Sequence, residues 1–116
     1  MIPINAKDFV AKVTRYCINY GNGFSNWKSC QKTCTLTDYP TTRWIIQSNP
    51  TRTIYVNNWY QKSDLQGTGI WYQGQDNNGK GCRARLYKRD DDGRLELYLI
   101  YTNKTICYDL DANSME

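Results

Sequence analysis

The sequence predicts an α+β domain, with one N-terminal helix packed on an antiparallel sheet. Three observations carry that expectation. Apolar residues recur at helical spacing over the first twenty positions. From Arg43 onward the period changes to two. Clusters of Asn, Asp, Gly and Pro then punctuate the alternating runs. At 116 residues the chain suits a single domain, 1–116, with one core.

The helix is expected over Ala6 to Tyr20. Asn5 suits its N-cap, and Asp8 stands three residues on, like the acid of a capping box. Phe9, Val10, Val13, Tyr16, Cys17 and Tyr20 make one apolar stripe. Lys12 and Arg15 lie in the C-terminal half, where the helix dipole favours cations, and Gly21 with Asn22-Gly23 supplies the stop. Phe24 to Thr42 reads as an irregular loop, which Cys30 and Cys34 could staple.

Five or six strands follow. Trp44-Ile45-Ile46 is a short apolar run, and Asn49-Pro50 turns the chain into Thr53-Ile54-Tyr55-Val56. Gly69 to Gln73 and Cys82 to Lys88 flank the turn Asp76-Asn77-Asn78-Gly79. In the second of these runs Cys82, Ala84 and Leu86 share one face, and Arg83, Arg85 and Tyr87 the other. Asp90-Asp91-Asp92-Gly93 closes a hairpin; it lacks the spacing of a calcium loop and reads as a solvated turn. Leu95 to Thr102 is expected to be the longest strand, and Thr105 to Leu110 the last.

Composition narrows the function. The chain has 10 Tyr and 4 Trp against 2 Phe, and polar-tipped aromatics suit half-buried or binding surfaces. Its net charge of +4 is compatible with a polyanion partner. It has no histidine, the usual proton carrier near neutral pH. Cys17, Cys30, Cys34, Cys82 and Cys107 match no paired zinc hooks and point to disulfides in an oxidising compartment. Five is odd, so at least one thiol stays free or pairs between chains, and the pairing is open. Asn103-Lys104-Thr105 is a glycosylation sequon in an expected turn. Neither a signal peptide nor a span-length apolar stretch is visible, so the chain reads as the mature region of a secreted protein with no membrane segment.

An ordered set of residues adds a resemblance. Tyr39-Pro40 precedes the alternating region. Gly81-Cys82-Arg83-Ala84-Arg85-Leu86-Tyr87 follows, then a turn through Gly93, the run Leu95 to Thr102, and Cys107 near the end. Over Asp38 to Tyr108 this order resembles the fungal guanyl-specific ribonucleases and the ribonuclease-like secreted effectors of cereal powdery mildew fungi. The resemblance implies a microbial-ribonuclease fold whose chemistry has been lost. Those enzymes use a Glu and a His as base and acid, with an Arg on the phosphate. Here the strand His maps to Tyr101 and the residue after Tyr-Pro is Thr41. The segment Ile54 to Trp59 that should carry the base has no Asp or Glu, and only the Arg has counterparts, Arg83 and Arg85. Tyrosine, with a pKa of about 10, is a poor substitute acid. The N-terminal hairpin of the family is also absent.

The resemblance therefore implies a non-catalytic secreted effector, a pseudo-ribonuclease, with translocation into the host cell left open. Its partners would be host RNA or the ribosome, a host protein, or a plant immune receptor. It would be monomeric and need no cofactor. The expected nucleic-acid contacts are Tyr39, Trp59, Arg83, Arg85 and Tyr101, with Trp71 as a further platform. Two alternatives stand beside it: a secreted glycan- or small-ligand-binding β-rich domain, and an active ribonuclease with displaced catalytic groups.

Overall fold

Eight antiparallel strands form a closed meander in the computed structural model. They are β1 (Phe9–Asn19), β2 (Lys28–Thr37), β3 (Arg43–Gln47), β4 (Arg52–Asp64), β5 (Gly67–Asp76), β6 (Gly81–Arg89), β7 (Leu95–Ile100) and β8 (Thr105–Asp111). Each pairs with the next, and β8 pairs back onto β1. Closure leaves no edge strand among the described residues. The structure describes residues 9–37, 42–47, 51–64, 67–89 and 95–111.

This architecture corrects the α+β expectation. The residues assigned to the helix form β1, and among the described residues there is no helix. The physical reason is a bulge. The register of β1 slips between Val13 and Arg15 against both neighbours. Ala11 and Val13 face the lumen before the slip; afterwards Tyr16, paired with Tyr108, and Ile18, paired with Ile106, do so. A bulge inserts one extra residue, so two inward residues stand three apart instead of two. Buried Cys17 on the outer side completes the imitation of a helical stripe. The expected loop over Phe24 to Thr42 likewise contains β2, whose alternation runs through Cys34 and Leu36. The longest strand is β4 with 13 residues, whereas β7 has 6. A microbial-ribonuclease fold, with its helix on an open sheet, is thus overturned.

Side chains fill the lumen. Trp44, Ile46, Ile54, Leu97 and Leu99 are fully buried there. Trp44 meets Tyr72 edge-on, with ring centroids 5.5 Å apart. Eight strands enclose a space just wide enough for such packing. Gly74 permits a close approach at the second bulge, between Val56 and Asn58 of β4. A Cβ at Gly74 would lie 1.8 Å from the Tyr55 carbonyl oxygen.

The outer wall of β1, β8, β7 and β6 also carries buried polar groups. Arg15 pairs with Asp109 at 2.5 Å, and the Tyr98 hydroxyl donates to Glu96 at 3.0 Å. The chain after β1 folds back here. Trp27 lies 4.4 Å from the Arg15 guanidinium carbon, and Phe24 packs edge-on against Tyr98.

Candidate functional site at the barrel mouth

The strand ends where β1, β3, β5 and β7 finish form one mouth of the barrel. There a cavity of about 330 Å³ opens, lined by residues of β1, β2, β4, β8 and the β5–β6 and β7–β8 turns. Its floor is a polar bridge across the lumen. Arg52, from β4, donates through Nη1 to the Tyr101 hydroxyl at 2.9 Å. Tyr101 follows β7, and its hydroxyl donates to Asp76 Oδ2 at 3.0 Å. Asp76 Oδ1 accepts the backbone N–H groups of Asn78 and Lys80, at 2.9 and 3.0 Å. The sequence explains the last pair: Asp76-Asn77-Asn78-Gly79 is an Asx-type turn, and Gly79 takes the left-handed conformation at φ 80°.

The electrostatics follow from these contacts. Burial alone would raise the Asp76 carboxyl, but the two backbone N–H groups, the Tyr101 hydroxyl and Arg52 together hold it below the usual carboxylate range. Burial disfavours the Arg52 cation, yet the Tyr101 bond and the nearby Asp76 keep it charged, above its usual value. Tyr101 is raised, first by burial, and stays protonated as the donor the bridge needs. Burial also pushes Tyr108 up to about 12 and the Cys82 thiol to about 11.

Around this floor the lining divides. Lys32, Lys80 and Lys104 join Arg52, so four cations face one carboxylate that already accepts three hydrogen bonds. Tyr16, Tyr108, Ile18 and Ile106 form a second, largely apolar wall on β1 and β8. The two tyrosine rings lie 6.5 Å apart at a 40° tilt.

The residues expected to form one nucleic-acid site are divided by the sheet. Tyr101 faces the lumen within the core cluster. Arg83 and Arg85 alternate with buried Cys82 and Ala84 and stand on the outer wall. There they flank Trp71, with guanidinium carbons 5.5 and 5.2 Å from its ring. Tyr60 stacks on the same ring at 6.3 Å with an interplanar angle of 4°. Trp59 pairs with Tyr72, far along β4 from the mouth, and is 42% exposed. Tyr39 lies outside the described residues. Asn103 is exposed in the β7–β8 turn and lines the mouth.

All five cysteines are free thiols. Cys34 and Cys82 sit in the core, and Cys30 is half-buried, its thiol donating to the Val13 carbonyl at 3.6 Å. Cys17 and Cys107 are cross-strand partners on the outer side. Among the described residues no three His, Cys, Asp or Glu side chains gather as a metal-ligand set.

Sequence reasoning missed Arg52, Lys32 and Lys80. The turn at Asp76 was legible, but its carboxylate read as a turn former only. The available signal was Arg52 beside the β-branched run at Thr53 to Val56, a charge at a position whose alternate neighbours, Ile54 and Val56, point inward.

No protein-family model matches the chain, and no curated protein or solved structure is similar to it at a significant level.

Proposed function

We propose that this protein is a binding module whose barrel mouth captures a small polar ligand. The reading rests on one observation above all. The Arg52–Tyr101–Asp76 bridge presents hydrogen-bonding groups to an open cavity while a packed core seals the lumen beneath. Small-molecule sites combine a concave, preformed wall with a few fixed polar groups, often at barrel mouths. The bridge is fixed by its own internal hydrogen bonds, so the site requires little ordering on binding. The test is an NMR shift-perturbation screen with monosaccharides, nucleosides and hydroxy acids at millimolar concentration. Shifts gathered on Ile18, Lys32, Arg52, Asn78 and Lys104 support the reading. Hits confined to the outer wall, or none, refute it.

A second reading has its own observation. The outer wall carries Tyr60, Trp71, Arg83 and Arg85 as a contiguous stacked aromatic and cationic ladder. Such surfaces grip single-stranded nucleic acid by stacking and charge. This ladder supports RNA as a partner of a secreted effector on a scaffold that is a barrel, not a ribonuclease. Fluorescence anisotropy with single-stranded RNA over a salt series checks it. Affinity should fall steeply as salt rises. Salt-insensitive or undetectable binding at low salt removes the nucleic acid and leaves a protein partner.

A further inference from the structure

The mouth is built asymmetrically, and the asymmetry names a ligand class. In a meander of eight strands, β8 and β1 stand across the lumen from β4 and β5. The aromatic and apolar wall, with Tyr16 and Tyr108, is therefore opposite the strands that deliver Arg52 and Asp76. Three of the four lining cations, Arg52, Lys80 and Lys104, stand on the floor and the two turns, while Lys32 of β2 lies 5.6 Å from the Tyr16 ring at the edge of the aromatic wall. Asp76 offsets only one of the four cations that line the mouth, so an excess of positive charge remains for a ligand. Its two oxygens already accept from Asn78, Lys80 and Tyr101. Arg52 carries five N–H donors in a fork, and the Tyr101 bond uses Nη1. The other nitrogens are aligned in advance by that bond and suit a flat or tetrahedral oxyanion.

We propose, building on the small-ligand reading above, that the mouth takes a planar organic anion: a flat ring joined to one compact oxyanion. The oxyanion sits on Arg52 with Lys80 and Lys104 at its sides. The ring lies against Tyr16 and Tyr108. A neutral sugar leaves the cations unanswered, and a bare inorganic anion leaves the aromatic wall wet. A cavity of about 330 Å³ stands at the small end of ligand sites, which limits the ring to one or two fused cycles.

Two probe sets separate these contributions. The first is adenosine 5′-monophosphate, adenosine and inorganic phosphate. The second is indole-3-acetate, indole and acetate. Each is titrated by NMR into the full chain at low salt. The ring-plus-anion member of a set should bind about tenfold or more tightly than either fragment. Preference for the first set identifies a phosphate ligand, preference for the second a carboxylate. Lys104→Gln and Arg52→Gln should shrink the gap between the anion and its neutral ring, and Tyr16→Leu should weaken both ring compounds alike. Lys104 lies on the rim outside the bridge, so its variant tests the charge even where Arg52→Gln fails to fold. Equal affinity for ring-plus-anion and ring alone overturns the proposal, as does an anion preference untouched by both charge variants. Mouth binding of neutral sugars with no anion preference overturns the ligand class and keeps the small-ligand reading. No mouth binding by any compound ends both.

Discussion

Replacing Asp76 by Ala tests whether the polar bridge holds the barrel together. Asp76 is 6% exposed and accepts three hydrogen bonds. The two turn N–H groups lie at the rim, where water can replace the carboxylate, so each is worth about 0.5–1 kcal/mol. The Tyr101 hydroxyl is buried and bonds an ionised acceptor, which is worth about 1.5–3 kcal/mol. Removing the carboxylate also takes the nearest negative charge from Arg52. The sum is a loss of about 2.5–5 kcal/mol, a large share of the about 5–15 kcal/mol a domain holds. With a urea slope of about 1.5 kcal/mol/M, the unfolding midpoint at pH 7 should fall by about 2–3 M.

The same carboxylate predicts a pH signature. Its pKa is lower folded than unfolded, where it is about 3.9. The stabilisation is therefore complete above pH about 5 and drains away as pH falls through the lower, folded value. Asp76→Asn, which holds no ionisable group there, should lose less stability than the parent between pH 5 and pH 3. A midpoint for Asp76→Ala within about 0.5 M of the parent refutes the reasoning, because the bridge would then contribute no more than a surface contact. Parallel acid profiles for the parent and Asp76→Asn refute the electrostatic half alone.

Other expectations follow from the fold. Gly74→Ala places a methyl carbon 1.8 Å from the backbone oxygen of Tyr55 and should cost about 3 kcal/mol or prevent folding, read by urea melts and amide NMR dispersion. Trp44→Ala opens a cavity at a site with 0% exposure and should cost about 3–5 kcal/mol in the same melts. Trp71→Ala should leave the mouth intact and weaken single-stranded RNA by about 1–3 kcal/mol, measured by anisotropy. Native thiol labelling at pH 8 should reach Cys30 first, since the other four are buried; fast labelling of Cys82, whose thiol burial pushes up to about 11, would contradict its place in the core.

The strands β6 to β8 were legible because no bulge interrupts their period. Cys82, Ala84 and Leu86 alternate with Arg83, Arg85 and Tyr87, and β6 places the first set inward and the second outward. The turns at Asp76 to Gly79 and before Thr105 were legible from their Asn, Asp and Gly content, which is local chemistry. The first strand was not. Its bulge turns two inward pairs, Ala11 with Val13 and Tyr16 with Ile18, into a stripe with helical steps, and only pairing with β2 and β8 decides between the readings. Arg83 and Tyr101 were expected together because neighbouring strands can bring residues close. Alternation instead puts one outside and one inside, and that assignment depends on which face of the sheet the closed barrel buries.

The tyrosines at the mouth, Tyr16, Tyr101 and Tyr108, gain a physical account from the same geometry. A barrel of eight strands has no room for a deep apolar pocket once side chains such as Trp44 and Tyr72 pack its interior. Whatever binds must stop at the mouth, and the residues at that boundary need an apolar body below and a polar tip above. Phenylalanine supplies only the first, and serine only the second. Tyr101 supplies both: its ring belongs to the core cluster, and its hydroxyl links Arg52 to Asp76. Tyr101→Phe separates the two roles. The ring keeps its packing, while Arg52 loses its partner and Asp76 one of its three donors. Stability should fall by about 1.5–3 kcal/mol. Mouth ligands should lose affinity beyond that of the rim variant Lys104→Gln, because a guanidinium freed from its anchor must be ordered anew at each binding event. Unchanged affinity in Tyr101→Phe, with the fold intact, would mean that the bridge only seals the core and does not aim the site.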